Sequence, residues 1–391
     1  MSALPFRKPR LPSNYRVWSE PPDDSGDEVL RFISARRSLK LKGHSFREFQ
    51  NSVLPLLDGR HSFEEIQKQV EDLFNEEDLV ECLRLLAAQN LLEEGDTCLQ
   101  GEVARRLTPQ LNFFHEVGGQ AEVMQERLGN ATVTVIGMGG VGAGAALSLA
   151  AAGVGTLRCV DALPVRETDV YFSPAFQIKD VGGSRAVAVA RMIERSAPQV
   201  KTWVHDGAIK KEEEVRAVVE GADFVVCCLD ASQSNLTFKL NRVCLAGGIR
   251  WTSCAVSGFE LILGPTVHPP DSSCYLCYRM RAVACSINPE DAFVYERYLD
   301  RRKQDDSGTR ENLVFGVGIA ANIVGLEALK ELTNIGEPSA VGRIVVFNLL
   351  ELTCSSHVVL RKPWCPACFA KNREHDTREQ TSATGRAKDV S

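Results

Sequence analysis

The sequence predicts an α/β protein whose main domain is Rossmann-like and carries a structural zinc site, with a winged-helix-like domain before it. Three observations predict this fold. A Gly-rich turn at residues 137–142 follows a β-branched run and opens a helix of small residues. Apolar strands and amphipathic helices then alternate, which is typical of βαβ units around a parallel sheet. Two Cys-x-x-Cys pairs, a spacing found in zinc sites, lie further along.

Composition limits the class of protein. The chain has 391 residues and is 44% hydrophobic, which is enough for two or three folded domains. Its net charge of −6 argues against a nucleic-acid partner, because such binders are normally basic. No apolar run is long enough to cross a membrane, and the first residues lack the apolar core of a secretion signal. Thirteen cysteines, an odd number, indicate a reducing compartment, so we expect a cytoplasmic protein.

The first 130 residues predict an arm, a small domain and a connection. Residues 1–27 are rich in proline and predict an extended arm with little core of its own. Residues 28–97 predict a winged-helix-like domain, with two strands that flank residues 35–37. Residues 98–130 predict a helical connection. Three helices are expected in the small domain. The first is expected at Ser45–Leu57 and the third at Glu77–Gln89. The second is expected to begin at a capping box formed by Ser62 and Glu65.

The charge of the third helix indicates what this small domain binds. The helix reads EEDLVECLRLLAAQN, and its acids would repel nucleic-acid phosphates. An edge strand beside an apolar helix instead forms a groove that accepts a peptide as an added strand. The alternative is a domain that only packs or dimerises. The candidate peptide-binding residues are Leu30, Phe32, Leu39, Leu41, Leu79, Leu83 and Leu86.

The Gly-rich turn predicts a nucleotide site. It lies between a predicted strand and helix, and Asp161 ends the next strand 24 positions after Gly137. Glycines let the backbone approach a phosphate, the helix N-terminus offers free N–H groups, and the acid accepts hydrogen bonds from a ribose. The candidate nucleotide-binding residues in this unit are Gly137, Gly139, Gly140, Gly142 and Asp161.

The strand and helix alternation continues through the rest of residues 131–369. Asp230 ends a second buried strand, DFVVCCLD. A polar stretch within residues 286–312 predicts a mobile loop. A long helix is expected within Thr309–Leu332, followed by a hairpin that leads to the second cysteine pair. Residues 370–391 predict a disordered tail.

Four cysteines are the candidate metal ligands. Two Cys-x-x-Cys pairs together form a tetrahedral thiolate site, and four thiolates leave no open position, so the zinc would be structural. The alternative is two reduced, redox-active pairs. The remaining cysteines are expected in the core or at the surface, with a catalytic thiol among them as a further option. The predicted ligands are Cys274, Cys277, Cys365 and Cys368.

With these features, residues 132–369 resemble the ThiF-type adenylyltransferase superfamily, the fold of ubiquitin-activating enzymes. The resemblance implies binding of ATP and magnesium and adenylation of a carboxyl terminus, with Asp161, Arg185 and Asp230 in the nucleotide site. Several positions depart from the family pattern. Arg185 replaces a lysine, and the other departures fall at Leu163, Asp169, Phe172, Ser173 and Ala231. Because an apolar side chain cannot replace an arginine at a triphosphate, these departures predict a vestigial site that uses ATP poorly.

A second resemblance covers both domains. The segments LPLLDGRHSFEEI, LLAAQNLLEE, GPTVHPPDSSCYLCYRMR and LRKPWCPAC are similar to the leader-peptide-binding partner proteins of azoline-forming cyclodehydratases, which act in the biosynthesis of thiazole- and oxazole-modified peptides. The resemblance implies that the small domain captures a precursor leader peptide. A separate YcaO protein would then use ATP to cyclise the peptide, and the ThiF-like domain would be a non-catalytic subunit. Relatives also imply a homodimer.

The sequence thus predicts leader-peptide binding and activation of a YcaO cyclodehydratase. The main alternative is an active adenylyltransferase that activates the carboxylate of a peptide, with Gly139, Asp161, Arg185 and Asp230 binding ATP and magnesium. In a third alternative the activated carboxylate belongs to a sulfur carrier.

Overall fold

The computed structural model divides the chain into two compact units, Met1–Glu126 and Arg127–Ser391. It describes residues 6–22, 24, 26–95, 101–117, 120–229, 234–291, 294 and 313–369. Asp230, most of the loop expected at 286–312 and the tail expected at 370–391 lie outside the described residues.

The first unit contains a three-stranded antiparallel sheet with the order β2-β3-β4. The two strands expected around residues 35–37 are present as β3 and β4. The third strand, β2, falls inside the segment expected to be an extended arm. Val17 of that strand lies opposite Phe32 and packs against the core, so this part of the arm is folded. The strands of the unit are β1 (Pro9–Arg10), β2 (Arg16–Glu20), β3 (Glu28–Ile33), β4 (Ser38–Gly43) and β5 (Glu93–Glu94), with β1 paired to β5.

Three short helices complete the core of this unit. The Ser62 and Glu65 capping box is present at the start of the second helix. The first expected helix is interrupted at Val53 and continues as a 3-10 turn at Leu54–Leu56, where Pro55 lies. That these strands and helices form a winged-helix domain stays a prediction. The helices are α1 (Phe46–Ser52), α2 (Phe63–Val70) and α3 (Glu76–Ala88), followed by α4 (Gly101–Glu116) and α5 (Ala121–Asn130).

The second unit is built on an eight-stranded sheet. Its order is β13-β12-β11-β10-β9-β6-β7-β8. The five strands from β10 to β8 are parallel, and β11, β12 and β13 add to β10 as antiparallel strands. The predicted Rossmann-like sheet is therefore present. The strands are β6 (Thr132–Ile136), β7 (Thr156–Val160), β8 (Lys201–His205), β9 (Phe224–Cys227), β10 (Trp251–Ser257), β11 (Glu260–Leu263), β12 (Arg343–Asn348) and β13 (Thr353–Val358).

Helices pack against this sheet, and small residues let two of them approach closely. A Cβ added at Gly144 of α6 would lie 2.8 Å from the Cβ of Ala321 in α12. No helix in the described part of the chain is long and apolar enough to cross a bilayer. The helices are α6 (Gly140–Ala151), α7 (Glu167–Phe172), α8 (Arg185–Ser196), α9 (Glu212–Val219), α10 (Ser234–Gly247), α11 (Tyr275–Ala284) and α12 (Val314–Thr333).

Candidate functional site

The four predicted metal ligands come together in one buried cluster. Their Sγ atoms all lie within 4.8 Å of one another. The Cys274 Sγ is 3.8 Å from those of Cys277 and Cys365, and the Cys277 Sγ is 3.6 Å from that of Cys368. Zn–S bonds of about 2.3 Å in a tetrahedron place the sulfurs about 3.8 Å apart. The cluster is therefore suited to hold a zinc ion.

Neighbouring groups support the cluster as a metal site. The Lys362 N–H donates to the Cys277 Sγ at 3.3 Å. Hydrogen bonds from the Cys274 and Cys368 thiols, together with this N–H, hold the pKa of Cys277 below its ordinary value. Arg361 donates to the Ser272 carbonyl at 2.9 Å. These contacts join the two cysteine pairs, so a zinc ion here would connect α11 to the segment after β13.

The Gly-rich turn has the geometry that the sequence predicts. Gly137 has a φ of +91°, and a Cβ there would lie 2.4 Å from the Cys228 carbonyl oxygen. A Cβ on Gly142 would lie 1.7 Å from the Gly137 oxygen. Gly139 is the N-cap of α6, and Gly140 is its first residue. Only glycine fits the first and last positions of this turn, and the turn directs the N-terminus of α6 toward the end of the parallel sheet.

Asp161 lies beside this turn, as predicted. Its Oδ2 accepts a hydrogen bond from the Met138 N–H, and its Oδ1 accepts one from the Leu163 N–H, each at 2.7 Å. Each carboxylate oxygen can accept a further bond. Asp161 is thereby oriented at the turn, in the position from which an acid binds a ribose in Rossmann-like folds.

Arg185 is near Asp161, but its guanidinium is bound mainly to Asp169. The Arg185 Nε donates to the Asp169 Oδ2 at 2.8 Å, and its Nη2 donates to the Asp169 Oδ1 at 2.7 Å. The Arg185 Nη1 lies 3.7 Å from the Asp161 Oδ2. The Arg185 side chain is 2% exposed. Arg185, which the family resemblance places in the nucleotide site, thus forms a buried ion pair with Asp169. The sequence offers no local signal for this pair, since its members are 16 residues apart.

The end of α7 also approaches the turn. The Phe172 carbonyl oxygen would be 3.4 Å from a Cβ placed on Gly140. The structure therefore brings together Gly137, Gly139, Gly140, Gly142, Asp161 and Arg185. Asp230, the candidate magnesium ligand, is outside the described residues, although Cys227 and Cys228 before it are buried.

The candidate peptide-binding residues of the first unit separate into two groups. Leu39 and Leu41 are half-buried residues of β4. The others lie in the hydrophobic core of the unit, where a docked peptide would not reach them. Their apolar spacing reflects the core rather than a groove. These buried residues are Leu30, Phe32, Leu79, Leu83 and Leu86.

Two further groups of side chains are structural. Burial raises the pKa of Cys159, Cys227 and Cys254 to about 12, which argues against a reactive thiol among them. In the first unit, Glu93, His115 and Glu122 cluster closely enough to bind a metal. Arg10 already donates to both acids of that cluster, so it is an internal ion network.

Comparison with known proteins assigns a family to this geometry. The ThiF family model matches residues 107–367. A sulfur carrier protein adenylyltransferase of Thermus thermophilus is 27% identical over 62% of this chain and 84% of its own length. The SAMP-activating enzyme of Haloferax volcanii is 32% identical over 66% of this chain and 86% of its own length. These relatives fit the adenylyltransferase alternative better than the role of a cyclodehydratase partner.

Solved structures share this fold. Escherichia coli MccB, solved with ATP, aligns with a TM-score of 0.64 at 17% identity, over 92% of this chain and 99% of MccB. PaaA aligns with a TM-score of 0.63 at 20% identity, over 89% of this chain and 99% of PaaA. The family match covers more than half of the sequence, including the Gly-rich turn and three of the four clustered cysteines, Cys274, Cys277 and Cys365. The chain therefore belongs to the ThiF family.

Proposed function

We propose that this protein is an adenylyltransferase that activates the carboxyl group of a peptide, which its first unit binds. The observation that carries the nucleotide part is the Gly-rich turn with Asp161 hydrogen-bonded to its backbone. Adenylation would transfer AMP from ATP to the carboxylate and release pyrophosphate. The named relatives are activating enzymes or adenylyltransferases. MccB, which shares the fold, was solved with ATP and also with MccA.

The peptide part rests on the open edge of β4. In the described part of the chain, β4 pairs with β3 alone. The Ser34 N–H donates to the Arg37 carbonyl across the turn between these strands. Because antiparallel hydrogen bonds alternate, the peptide groups of Leu39 and Leu41 face β3, and that of Lys40 between them faces outward. An outward peptide group can bind the backbone of a peptide of any sequence.

The opposite edge of this sheet is partly occupied. By the same alternation, the N–H of Ser19 in β2 faces outward, and it donates to the Gln50 side chain. The edge at β4 is therefore the better place for a peptide strand. Side chains on one face of that strand would meet Leu39 and Leu41, which pack against the core and remain partly exposed. These contacts would supply specificity for apolar residues.

A second candidate function is leader-peptide binding without adenylation. In that case the protein would present the peptide to, and activate, a separate YcaO cyclodehydratase. The observation that favours it is the buried ion pair of Arg185 and Asp169, because this pair leaves the arginine less able to bind a triphosphate. The second unit would then contribute its zinc-supported fold rather than chemistry.

We also propose that the protein is a homodimer in the cytoplasm. The exposed side of α12 carries an apolar stripe at helical spacing, Phe315, Ile319 and Leu326. Such a stripe on a helix indicates an association surface.

Titration of the zinc-loaded protein with ATP and magnesium by calorimetry separates the two candidate functions. Saturable binding of ATP supports adenylation. No heat of binding at millimolar ATP would overturn adenylation and leave the second candidate.

A further inference from the structure

The ion pair between Arg185 and Asp169 occupies the guanidinium that the family resemblance places in the nucleotide site. We infer that Asp169 limits the affinity of the nucleotide site for ATP by holding the Arg185 guanidinium, so that Asp169 is a specificity-determining residue of this site. The inference rests on the proposed nucleotide site. It goes further because it assigns the control of triphosphate binding to a residue that never has to touch ATP.

The geometry explains why Asp169 holds the arginine firmly. Asp169 is itself oriented by the Arg166 N–H, which donates to its Oδ2 at 2.8 Å. Both of its oxygens then accept from Arg185, at 2.7 and 2.8 Å, and both side chains are buried. Two parallel charge-assisted bonds in a buried setting are strong and directional. A phosphate would have to replace both bonds in order to bind the Nε and Nη2 edge of this guanidinium.

The position of Arg185 on its helix explains why the pair forms at all. Arg185 is the first residue of α8, and a cation there is disfavoured by the helix dipole. The Asp169 carboxylate offsets this unfavourable charge. If the pair were only structural, its loss would reduce the stability of the protein without any gain in ATP binding.

Charge around the turn argues for an effect on ATP. The carboxylates of Asp161 and Asp169 both face the guanidinium of Arg185 here, so two acids share one base. ATP bound to magnesium is an anion, so this set repels it. Replacement of Asp169 by asparagine removes the excess negative charge and keeps an oxygen that can accept the Arg166 N–H. Arg185 then becomes available to a phosphate.

The experiment measures the ATP affinity of zinc-loaded full chains by calorimetry. Asp169→Asn should bind ATP at least about tenfold more tightly than the wild type, equivalent to about 1.4 kcal/mol. The matched control is Asp180→Asn. Asp180 also occupies the third position of a short helix and accepts a backbone N–H, that of Gln177 at 2.9 Å, whereas the charge-assisted bonds of Arg185 go to Asp169. The control should bind ATP within about threefold of the wild type.

A double variant tests whether the gain passes through the arginine. Asp169→Asn combined with Arg185→Gln should lose the gain that Asp169→Asn alone produces. The inference is overturned if folded Asp169→Asn binds ATP no more tightly than the wild type, or if the double variant keeps the full gain.

If Asp169→Asn does not fold, the affinities of the wild-type protein for ATP and for adenosine provide an independent test. If Asp169 holds Arg185, the triphosphate adds little, and the wild type should bind ATP no more than about threefold better than adenosine. A wild-type preference for ATP of about a hundredfold would overturn the inference. Failure of the proposed function gives a different pattern. A wild type without pyrophosphate release, together with an Asp169→Asn variant that gains ATP affinity, refutes adenylation but supports the role of Asp169.

Discussion

The backbone N–H of Lys362 donates to the Sγ of Cys277 at 3.3 Å, although the two residues are 85 positions apart in the chain. This bond joins the loop after β13 to the start of α11. The same two segments supply the four clustered thiols. A single zinc ion would therefore connect two parts of the second unit that are distant in sequence, and its binding energy would contribute to folding.

The first prediction is that zinc removal destabilises the protein. Cys277→Ser removes a ligand and should leave less than one zinc per chain by atomic absorption. We expect a loss of at least about 3 kcal/mol, which lowers Tm by about 6–12 °C for a unit of this size. Cys285→Ser is the control, because Cys285 is an exposed cysteine at the end of the same helix. Equal zinc content and equal Tm in the two variants would contradict a metal site.

The second prediction concerns the edge of β4. Lys40→Pro removes an outward N–H and leaves the bonds between β3 and β4 intact. Peptides are selected by the immobilised full chain from a phage-displayed library of random sequences, and the enriched ones are synthesised. Their affinity, measured by fluorescence anisotropy, should fall at least about tenfold with Lys40→Pro.

The matched control for this edge is Lys40→Ala, which removes the side chain and keeps the N–H. It should bind the selected peptides within about threefold of the wild type. If Lys40→Pro binds them as well as Lys40→Ala does, strand addition at β4 is wrong.

The third prediction is a pH-dependent contribution of Glu331. Burial alone would raise its pKa, but hydrogen bonds from His268, at 2.7 Å, and from Arg250 outweigh burial and hold the pKa below its ordinary value. A lowered pKa in the folded state means that the stabilisation is complete above the ordinary glutamate pKa of about 4.3. It is then lost as the pH falls through the lower folded value.

Glu331→Gln should therefore reduce the free energy of unfolding at pH 7 by about 1–3 kcal/mol. The difference from wild type should shrink as the pH falls below about 4. Urea unfolding across this pH range measures the difference in the free energy of unfolding between the two proteins. Glu337→Gln, at an exposed position nearby, should change stability little at any pH. A Glu331→Gln deficit that stays constant down to acid pH would contradict the assignment.

The fourth prediction concerns the apolar stripe on α12. The Phe315 side chain is 77% exposed, and a charge there would be desolvated if two chains associate through this helix. Phe315→Glu should convert the proposed dimer to a monomer in sedimentation experiments. Leu352→Glu, at an exposed apolar residue on the turn between β12 and β13, serves as the control. A dimer that persists with Phe315→Glu would exclude this helix as the interface.

Local sequence patterns predicted the second unit well. Short spacings, or residue types with few structural uses, mark the Gly-rich turn, Asp161 and the cysteine pairs. The structure places Asp161 beside the Gly-rich turn and brings the two cysteine pairs together. Strand β2 was not predicted, because Val17 gains its partner Phe32 only through tertiary pairing. The pair of Arg185 and Asp169 was missed for the same reason.

The peptide groove shows a different limit of sequence analysis. Apolar residues at helical or alternating spacing mark a buried face, but spacing cannot distinguish a core from a groove that binds a ligand. Leu30 and Leu83 are entirely within the core. Leu41, paired directly with Leu30, is half-buried because it lies on the outermost strand of the sheet.

The measurement that tests the central claim most directly is exchange of labelled pyrophosphate into ATP by the zinc-loaded wild-type protein. It is run with a selected peptide that carries a free C-terminal carboxylate and with the same peptide as its C-terminal amide. Adenylation of a peptide carboxylate predicts exchange with the first peptide and none with the second. No exchange with either peptide, while both bind, would contradict adenylation and favour a peptide-binding partner of a separate cyclodehydratase.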